Sequence, residues 1–183
     1  SFQRVIFFDQ RGCGQSLPFG STEHNTTQDL IADIERLREL FGFDTWMLSG
    51  HSWGSTLALA YAIAHPERVT KMLLGGIFLG AKSEVDYIQQ GGLRTHYPEA
   101  WEQYIEVVPE DRRNDTVKFY SEQFAQNNAK TQDYLRRWLL LEGAAGSLDG
   151  DYTKDLIESF DYDDTARPLA LLEAHYFINN CFL

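Results

Sequence analysis

Apolar and polar positions along the first 78 residues follow a pattern that predicts strands separated by helices. Residues 4–9 form a nearly continuous apolar run, which is typical of a strand buried on both faces. Similar runs cover residues 45–48 and 69–74. Between the first two runs, after good N-cap residues at 25–27, apolar side chains recur at helical spacing: Leu30, Ile34, Leu37 and Phe41. Strands joined by helices imply right-handed parallel crossovers, so the predicted class is an α/β sheet.

The pattern changes after about Ile77, where strand signals end and helical segments follow one another. Short breaks at Gly91-Gly92, Pro98 and Pro109 separate these segments. The predicted helices cover residues 83–90, 99–107, 111–126, 131–142, 153–160 and 168–179. Their aromatic residues are expected to form a core: Trp101, Tyr104, Phe119, Tyr120, Trp138, Tyr176 and Phe177. We therefore predict two units, a sheet-containing core over residues 1–78 and a helical cap domain over residues 79–183.

The composition is typical of a soluble globular protein with an acidic surface. Of 183 residues 43% are hydrophobic, and 27 Asp and Glu against 16 Lys and Arg give a formal charge of −11. This charge argues against nucleic acids and anionic membranes as partners. No apolar run approaches the roughly 18 residues that span a membrane. The low cysteine content makes a reducing, cytoplasmic location the default expectation. Cys13 and Cys181 are too few for a disulfide framework and lack metal-like spacing, and no metal or cofactor is predicted.

The stretch Gly50-His51-Ser52-Trp53-Gly54 carries the strongest chemical signal of the chain. It matches Gly-x-Ser-x-Gly, the nucleophile elbow, and it precedes a helix-like run over residues 55–64. A Ser hydroxyl becomes a good nucleophile when a His removes its proton and an acid orients that His. The free N–H groups at the start of the following helix favour the negative charge that develops. The alternative is a Gly-rich turn with an incidental Ser.

The catalytic partners of Ser52 are harder to find. In hydrolases with this elbow, the acid and the His follow the Ser along the chain. His175 is the only His that has this order together with apolar surroundings, and no convincing acid accompanies it. We therefore expect a serine hydrolase that has been cut short, with both partners outside these residues.

Several motifs together resemble the proline iminopeptidases, also called prolyl aminopeptidases. The motifs are FDQRGCGQS at 8–16, NTT at 25–27, DLIADIERLR at 29–38, GHSWGSTLALAY at 50–61, HPERV at 65–69 and GIFL at 76–79. The resemblance continues more loosely to the C-terminus. It implies an α/β-hydrolase fold with a helical cap that removes an N-terminal Pro from peptides without a metal. It also implies that Ser52 is the nucleophile and that the backbone N–H of Trp53 is one oxyanion-hole donor.

In that family, carboxylates of the cap bind the charged amine of the N-terminal Pro, and two residues here match their pattern. Glu142 and Glu173 lie on apolar helical stretches, where an unpaired carboxylate is costly unless a cation or a hydrogen bond meets it. Phe78 matches an aromatic position that lines the family's proline pocket. The alternatives are a solvated or helix-capping role for each Glu and a core position for Phe78. An N-terminal prolyl peptide is thus the expected partner.

Three positions depart from the pattern of the family. Gly75 stands where the family usually has Arg, and Leu141 stands where it often has Trp. His51 replaces a common Gly of the elbow, which favours other hydrolases of the same fold. Two other functions therefore stay open. One is a different capped hydrolase acting on an ester, amide or lactone, and the other is a catalytically inactive hydrolase-like fragment that works as a binding module.

The resemblance also implies elements that these residues do not contain. The family's loop with the second oxyanion N–H precedes the strand predicted at residues 4–9. A further strand of the family lies between that strand and the elbow strand in the sheet, and without it their backbone groups stay unpaired. We therefore expect the rest of the parent polypeptide, or another chain, to supply the missing strands.

Overall fold

The computed structural model describes residues 4–146 and 165–183. The helices and strands, in chain order, are α1 Thr27–Leu40, β1 Trp46–His51, α2 Trp53–Ala64, β2 Val69–Gly75, α3 Lys82–Gln89, α4 Pro98–Glu106, α5 Thr116–Gln126, α6 Thr131–Gly146 and α7 Arg167–Ile178. Short 3-10 turns lie at Pro66–Arg68, Gly92–Thr95, Glu110–Arg112 and Asn180–Phe182. Both strands thus precede the long helical region, in the order that the sequence pattern predicted.

Within the described ranges, β1 and β2 form a two-stranded parallel sheet, with Leu48 opposite Met72 and His51 opposite Gly75. Helix α2 is the crossover between them, because parallel strands cannot be joined by a tight hairpin. This βαβ unit confirms the predicted α/β class. The unit also places the end of β1 and the start of α2 at the carboxyl edge of the sheet, where open α/β sheets bind ligands.

Helices α1 and α2 pack together beside one face of this sheet. Helix α1 begins at a capping box, since the Thr26 hydroxyl accepts from the Asp29 N–H at 3.2 Å and the Asp29 carboxylate accepts from the Thr26 N–H at 3.1 Å. The buried residues of this cluster include Leu30, Ile34, Leu57 and Tyr61, and Trp46 and Leu48 of β1 pack against them. On the opposite face of the sheet, Met47 is 46% exposed and Leu73 is 62% exposed.

The prediction of a strand at residues 4–9 is wrong for the structure as described. These residues form no strand, and Val5 and Phe7 are 66% and 92% exposed. A strand exists only where a neighbour receives its backbone hydrogen bonds, and the described residues place no strand beside this segment. The apolar run indicated burial on both faces but could not supply the neighbouring strand.

The cap helices enclose a second and larger apolar cluster. Its centre is aromatic: the Tyr104 and Tyr120 rings are stacked with centroids 4.5 Å apart, and Trp138 is fully buried beside them. The helices predicted at 83–90, 99–107, 131–142 and 168–179 are present as α3, α4, α6 and α7. The boundary predicted after residue 78 stays a prediction, since Tyr176 and Cys181 from the C-terminal part belong to the cluster of α1 and α2.

The helix predicted over residues 111–126 begins later than expected. Glu110–Arg112 forms a 3-10 turn, and α5 starts at Thr116. Asp115 is the reason for this start, because its side chain accepts a hydrogen bond from the N–H of Lys118 and so caps the helix. The helix predicted at residues 153–160 lies outside the described residues.

Candidate active site

Ser52 lies on a sharp turn between β1 and α2, with φ of +54° and ψ of −123°. A positive φ is strained for a residue with a Cβ atom, and such strain clusters at functional sites. Gly50 makes the turn possible, because a Cβ at this position would lie 2.1 Å from the carbonyl oxygen of Gly54. Gly54 itself meets no such obstacle outside its own helix, where a Cβ would have no atom within 4 Å. The first Gly of the motif is therefore a steric requirement of the elbow.

Trp53 follows Ser52 as the first residue of α2. Its backbone N–H lies ahead of the intrahelical hydrogen bonds and is one of the free donors at the helix N-terminus. Its indole N–H donates to Oε1 of Gln10 at 3.0 Å, and its ring centroid lies 4.6 Å from that of Tyr176. These contacts connect the elbow both to the loop after residue 9 and to α7 of the cap.

Phe78 is held by the first turn of α2. The hydroxyl groups of Ser55 and Thr56 donate to the Phe78 carbonyl oxygen at 3.2 and 2.6 Å, and the Phe78 N–H donates to Oγ of Ser55 at 3.1 Å. The half-buried Phe78 ring meets Phe177 of α7 edge to face, with centroids 6.1 Å apart. The segment after β2 is thus fixed against both the elbow helix and the cap.

A cavity of about 610 Å³ opens beside the elbow. Its lining includes all five site residues that the sequence predicted: Ser52, Trp53, Phe78, Glu142 and Glu173. The first three come from the core, and the two carboxyl groups come from α6 and α7 of the cap. The structure brings these residues together, and their chemical roles stay predictions.

Glu142 and Glu173 form an acid pair in the wall of this cavity. Burial is the largest cause that raises the pKa of each carboxyl group above its ordinary value, and the charge of Glu173 raises the pKa of Glu142 further. The Trp138 indole N–H donates to Oε2 of Glu173 at 2.9 Å. Two like charges at close range cannot both ionise easily, so the pair is suited to share one proton or to meet a cation.

His51 lines the cavity and lies beside Gly75 and Gly76, of which Gly76 also lines the cavity. A Cβ on Gly75 would lie 3.1 Å from Cδ2 of the His51 ring, and a Cβ on Gly76 would lie 2.7 Å from its Nε2. A larger residue at position 75, such as the Arg expected from the family pattern, would therefore require the imidazole to move. The two departures from the family pattern, at positions 51 and 75, therefore lie next to each other in the structure.

His175, the base candidate from chain order, makes a contact typical of a structural residue. Its Nε2 lies 2.9 Å from the carbonyl oxygen of Asn25, and the hydroxyl of the neighbouring Tyr176 donates to Oδ1 of Asn25 at 2.9 Å. Asn25 itself is fully buried. This arrangement ties α7 to the loop before α1, and the residues that line the cavity together with Ser52 do not include His175.

Sequence reasoning missed four residues that organise the site: Gln10, Ser55, Thr56 and Trp138. Trp138 had a usable signal, because it lies one helical turn before Glu142 and so on the same face of α6. The contact of Gln10 with Trp53 had no signal in the sequence, since 43 positions separate the two residues along the chain. Such contacts follow from the fold and not from local spacing.

Residues 4–146 and 165–183 contain neither a candidate metal site nor a membrane-spanning helix. No group of three or more His, Cys, Asp and Glu side chains is placed there to hold a metal ion. No helix in those ranges has the length and apolar character needed to cross a bilayer.

Comparison with known proteins identifies the class of protein that this fold and site define. The family described as alpha/beta hydrolase fold matches residues 2–171. The chain therefore belongs to the α/β-hydrolase fold family.

Within this class, the chain is similar to curated proline iminopeptidases. It is 41% identical over 180 residues to the protein of Xylella fastidiosa strain 9a5c, 40% over 187 residues to that of Neisseria gonorrhoeae and 39% over 183 residues to that of Arabidopsis thaliana. These matches cover 98%, 98% and 99% of this chain but 57%, 57% and 48% of the respective relatives. The chain thus spans about half the length of the proteins it resembles.

Proposed function

We propose that this chain carries the nucleophile and the amine-binding cap of a prolyl aminopeptidase, a serine peptidase that releases an N-terminal Pro from peptides. One observation carries the proposal: a Ser at a strained elbow and a pair of carboxyl groups line the same cavity of about 610 Å³. The similarity to proteins named proline iminopeptidase supports the same substrate class.

In the proposed reaction, Oγ of Ser52 attacks the carbonyl carbon of the first peptide bond. The N–H of Trp53 donates to the oxyanion of the tetrahedral intermediate. Cleavage of the C–N bond releases the shortened peptide as an amine and leaves a prolyl ester on Ser52, which water then hydrolyses to free Pro. A His outside these residues takes the Ser proton and passes it to the leaving amine, and an acid orients that His.

Two parts of the substrate are proposed to be recognised, the charged amine and the apolar ring of the N-terminal Pro. An N-terminal Pro carries a positively charged secondary amine, and Glu142 and Glu173 provide the opposite charge inside the cavity. The Phe78 ring, which lines the same cavity, gives the pyrrolidine ring an apolar surface. A blocked or uncharged N-terminus would leave the acid pair without its cation.

We also propose that polypeptide beyond these residues completes the sheet. Residues 4–9 support this idea, because the apolar run there has no strand beside it within the described residues. The exposed side chains of Met47 and Leu73 indicate a sheet face that further polypeptide would cover. The 183-residue chain alone is therefore expected to unfold over a broad temperature range or to aggregate. A sharp, cooperative thermal transition of a monomer, measured by calorimetry together with sedimentation, would contradict it.

The substrate class is tested by comparing chromogenic substrates in the full-length gene product. Proline p-nitroanilide is expected to give a kcat/KM at least about 100-fold above that of alanine p-nitroanilide or N-acetylproline p-nitroanilide. The alanine compound tests the ring, and the acetylated compound tests the positive charge. Faster turnover of simple p-nitrophenyl esters would favour a different capped hydrolase, and no turnover of any substrate would favour a binding module.

A further inference from the structure

Trp138 makes a hydrogen bond to the acid pair that the proposed reaction does not explain. It lies on α6, one helical turn before Glu142, and it is fully buried. Its indole N–H reaches across to α7 and donates to Oε2 of Glu173 at 2.9 Å. An indole is a donor only, so this contact favours a partner oxygen that carries negative charge.

The direction of this N–H is fixed before any ligand arrives. Four aromatic rings from α4, α5 and α7 surround the indole. Centroid distances from the Trp138 ring are 6.2 Å to Tyr104, 5.6 Å to Tyr120, 5.5 Å to Phe124 and 6.3 Å to Phe177. A ring packed in this way keeps one rotamer, which holds the indole N–H against the acid pair in its hydrogen bond to Glu173.

We propose that Trp138 is a positioning residue that fixes the negative charge of the acid pair on Glu173 and leaves the shared proton on Glu142. Glu173 then accepts two hydrogen bonds, one from the indole and one from the protonated Glu142. The pair carries a single negative charge, which matches the single positive charge of a prolyl amine. The proposal rests on the proposed function for the identity of that cation only.

The electrostatics of the two carboxyl groups agree with this arrangement. Burial and then the charge of Glu173 raise the pKa of Glu142 well above its ordinary value. Burial also raises the pKa of Glu173, but hydrogen bonds from Glu142 and Trp138 oppose that increase. At Glu142 the hydrogen bond with Glu173 adds to the increase of the pKa, and only Trp138 opposes it. Glu173 therefore loses its proton first as the pH rises.

Other titratable groups near the pair do not reverse this order. Tyr104 of α4 and Cys181 beyond α7 both interact with the charge of the pair, and burial raises the pKa of Tyr104 well above its ordinary value and that of Cys181 to about 11. Both stay neutral near neutral pH. Cys13, whose pKa burial also raises, and His51 line the same cavity.

The proposal is tested by ¹³C NMR titration of labelled Glu side chains in the full-length gene product. In the wild type, Glu173 is expected to titrate at a lower pH than Glu142. In Trp138→Phe, which keeps an aromatic ring but removes the N–H, Glu173 is expected to titrate about one pH unit higher, a tenfold change in proton affinity. Trp101→Phe is the matched control, because it makes the same substitution in the same aromatic cluster. The Trp101 ring lies 5.5 Å from that of Tyr104, and within the described residues its indole makes no hydrogen bond to either carboxyl group.

Calorimetric binding of prolinamide gives a second measurement. Trp138→Phe is expected to weaken binding about tenfold near neutral pH and to move the acid limit of binding to higher pH. Uncharged cyclopentanecarboxamide is expected to bind both proteins equally. A wild-type titration with Glu142 below Glu173 overturns the proposal without any variant, and so does an unchanged Glu173 in Trp138→Phe. Absence of prolinamide binding, with the expected order of titration, would instead count against the proposed function alone.

Discussion

Ser52→Ala is expected to lower kcat/KM for proline p-nitroanilide by at least about 10⁴-fold in the full-length gene product. The variant loses the only atom that forms the covalent bond in the proposed reaction. Trp53 and the acid pair remain, so KM is expected to change little. Steady-state kinetics over a range of substrate concentrations separate the two parameters.

The structure indicates that this variant keeps its fold. Ser52 is exposed, and its side chain makes no capping hydrogen bond to α2. Ala carries the same Cβ at the same positive φ, so the strain of the elbow does not change. The thermal midpoint is expected to stay within about 2 °C of the wild type. Ser83→Ala, at an exposed position of α3, is the control. Wild-type turnover by Ser52→Ala would mean that another group attacks the substrate.

The cap helices were largely predictable because their signals are local. Helix α4 begins at Pro98, and α7 has Pro168 as its second residue, so a Pro marks the first turn of each helix. Their apolar residues then follow at helical spacing, which needs no knowledge of the rest of the chain. The late start of α5 was not predicted, because the periodic apolar pattern continues on both sides of Asp115. The helix begins only after Asp115, whose side chain caps its N-terminus.

The strand at residues 4–9 shows the limit of such reasoning. An apolar run predicts that a segment is buried, whereas a strand also needs a neighbour for its backbone groups. That neighbour is a property of the fold and not of the segment. Phe7 shows this most clearly, because 92% of its surface is exposed although the apolar run predicts that it is buried.

The candidate site was predictable residue by residue but not as an arrangement. The elbow motif identified Ser52, and the family resemblance identified Phe78, Glu142 and Glu173. The resemblance implied that both carboxyl groups bind one amine, but it did not indicate that they interact with each other, since 31 positions separate them along the chain. The same holds for His51 and Gly75, which meet only because β1 and β2 are paired.

Glu173→Gln is expected to lower kcat/KM for proline p-nitroanilide by about 10²- to 10³-fold, mainly through a higher KM. Gln has nearly the same shape, and its amide oxygen can accept the hydrogen bond from Trp138. The cavity loses the charge of Glu173, however, and burial, the largest cause that raises the pKa of Glu142, still favours the neutral form of that carboxyl group. The substrate amine must then be buried without a counter-charge. N-acetylproline p-nitroanilide has no such charge, so its slow hydrolysis is expected to stay the same.

Glu142→Gln provides the sharpest comparison, because the two residues line the same cavity. Glu142 is proposed to carry the proton, and a Gln resembles a protonated Glu, so this variant is expected to lose less than about 10-fold in kcat/KM. Glu102→Gln, exposed on α4, removes the same formal charge at a distance and is expected to have no effect. Equal losses in Glu142→Gln and Glu173→Gln would mean that both carboxylates are charged when the amine binds. Equal losses in all three variants would mean that the acidic surface as a whole attracts the substrate, and the assignment of the amine to Glu173 would then be wrong.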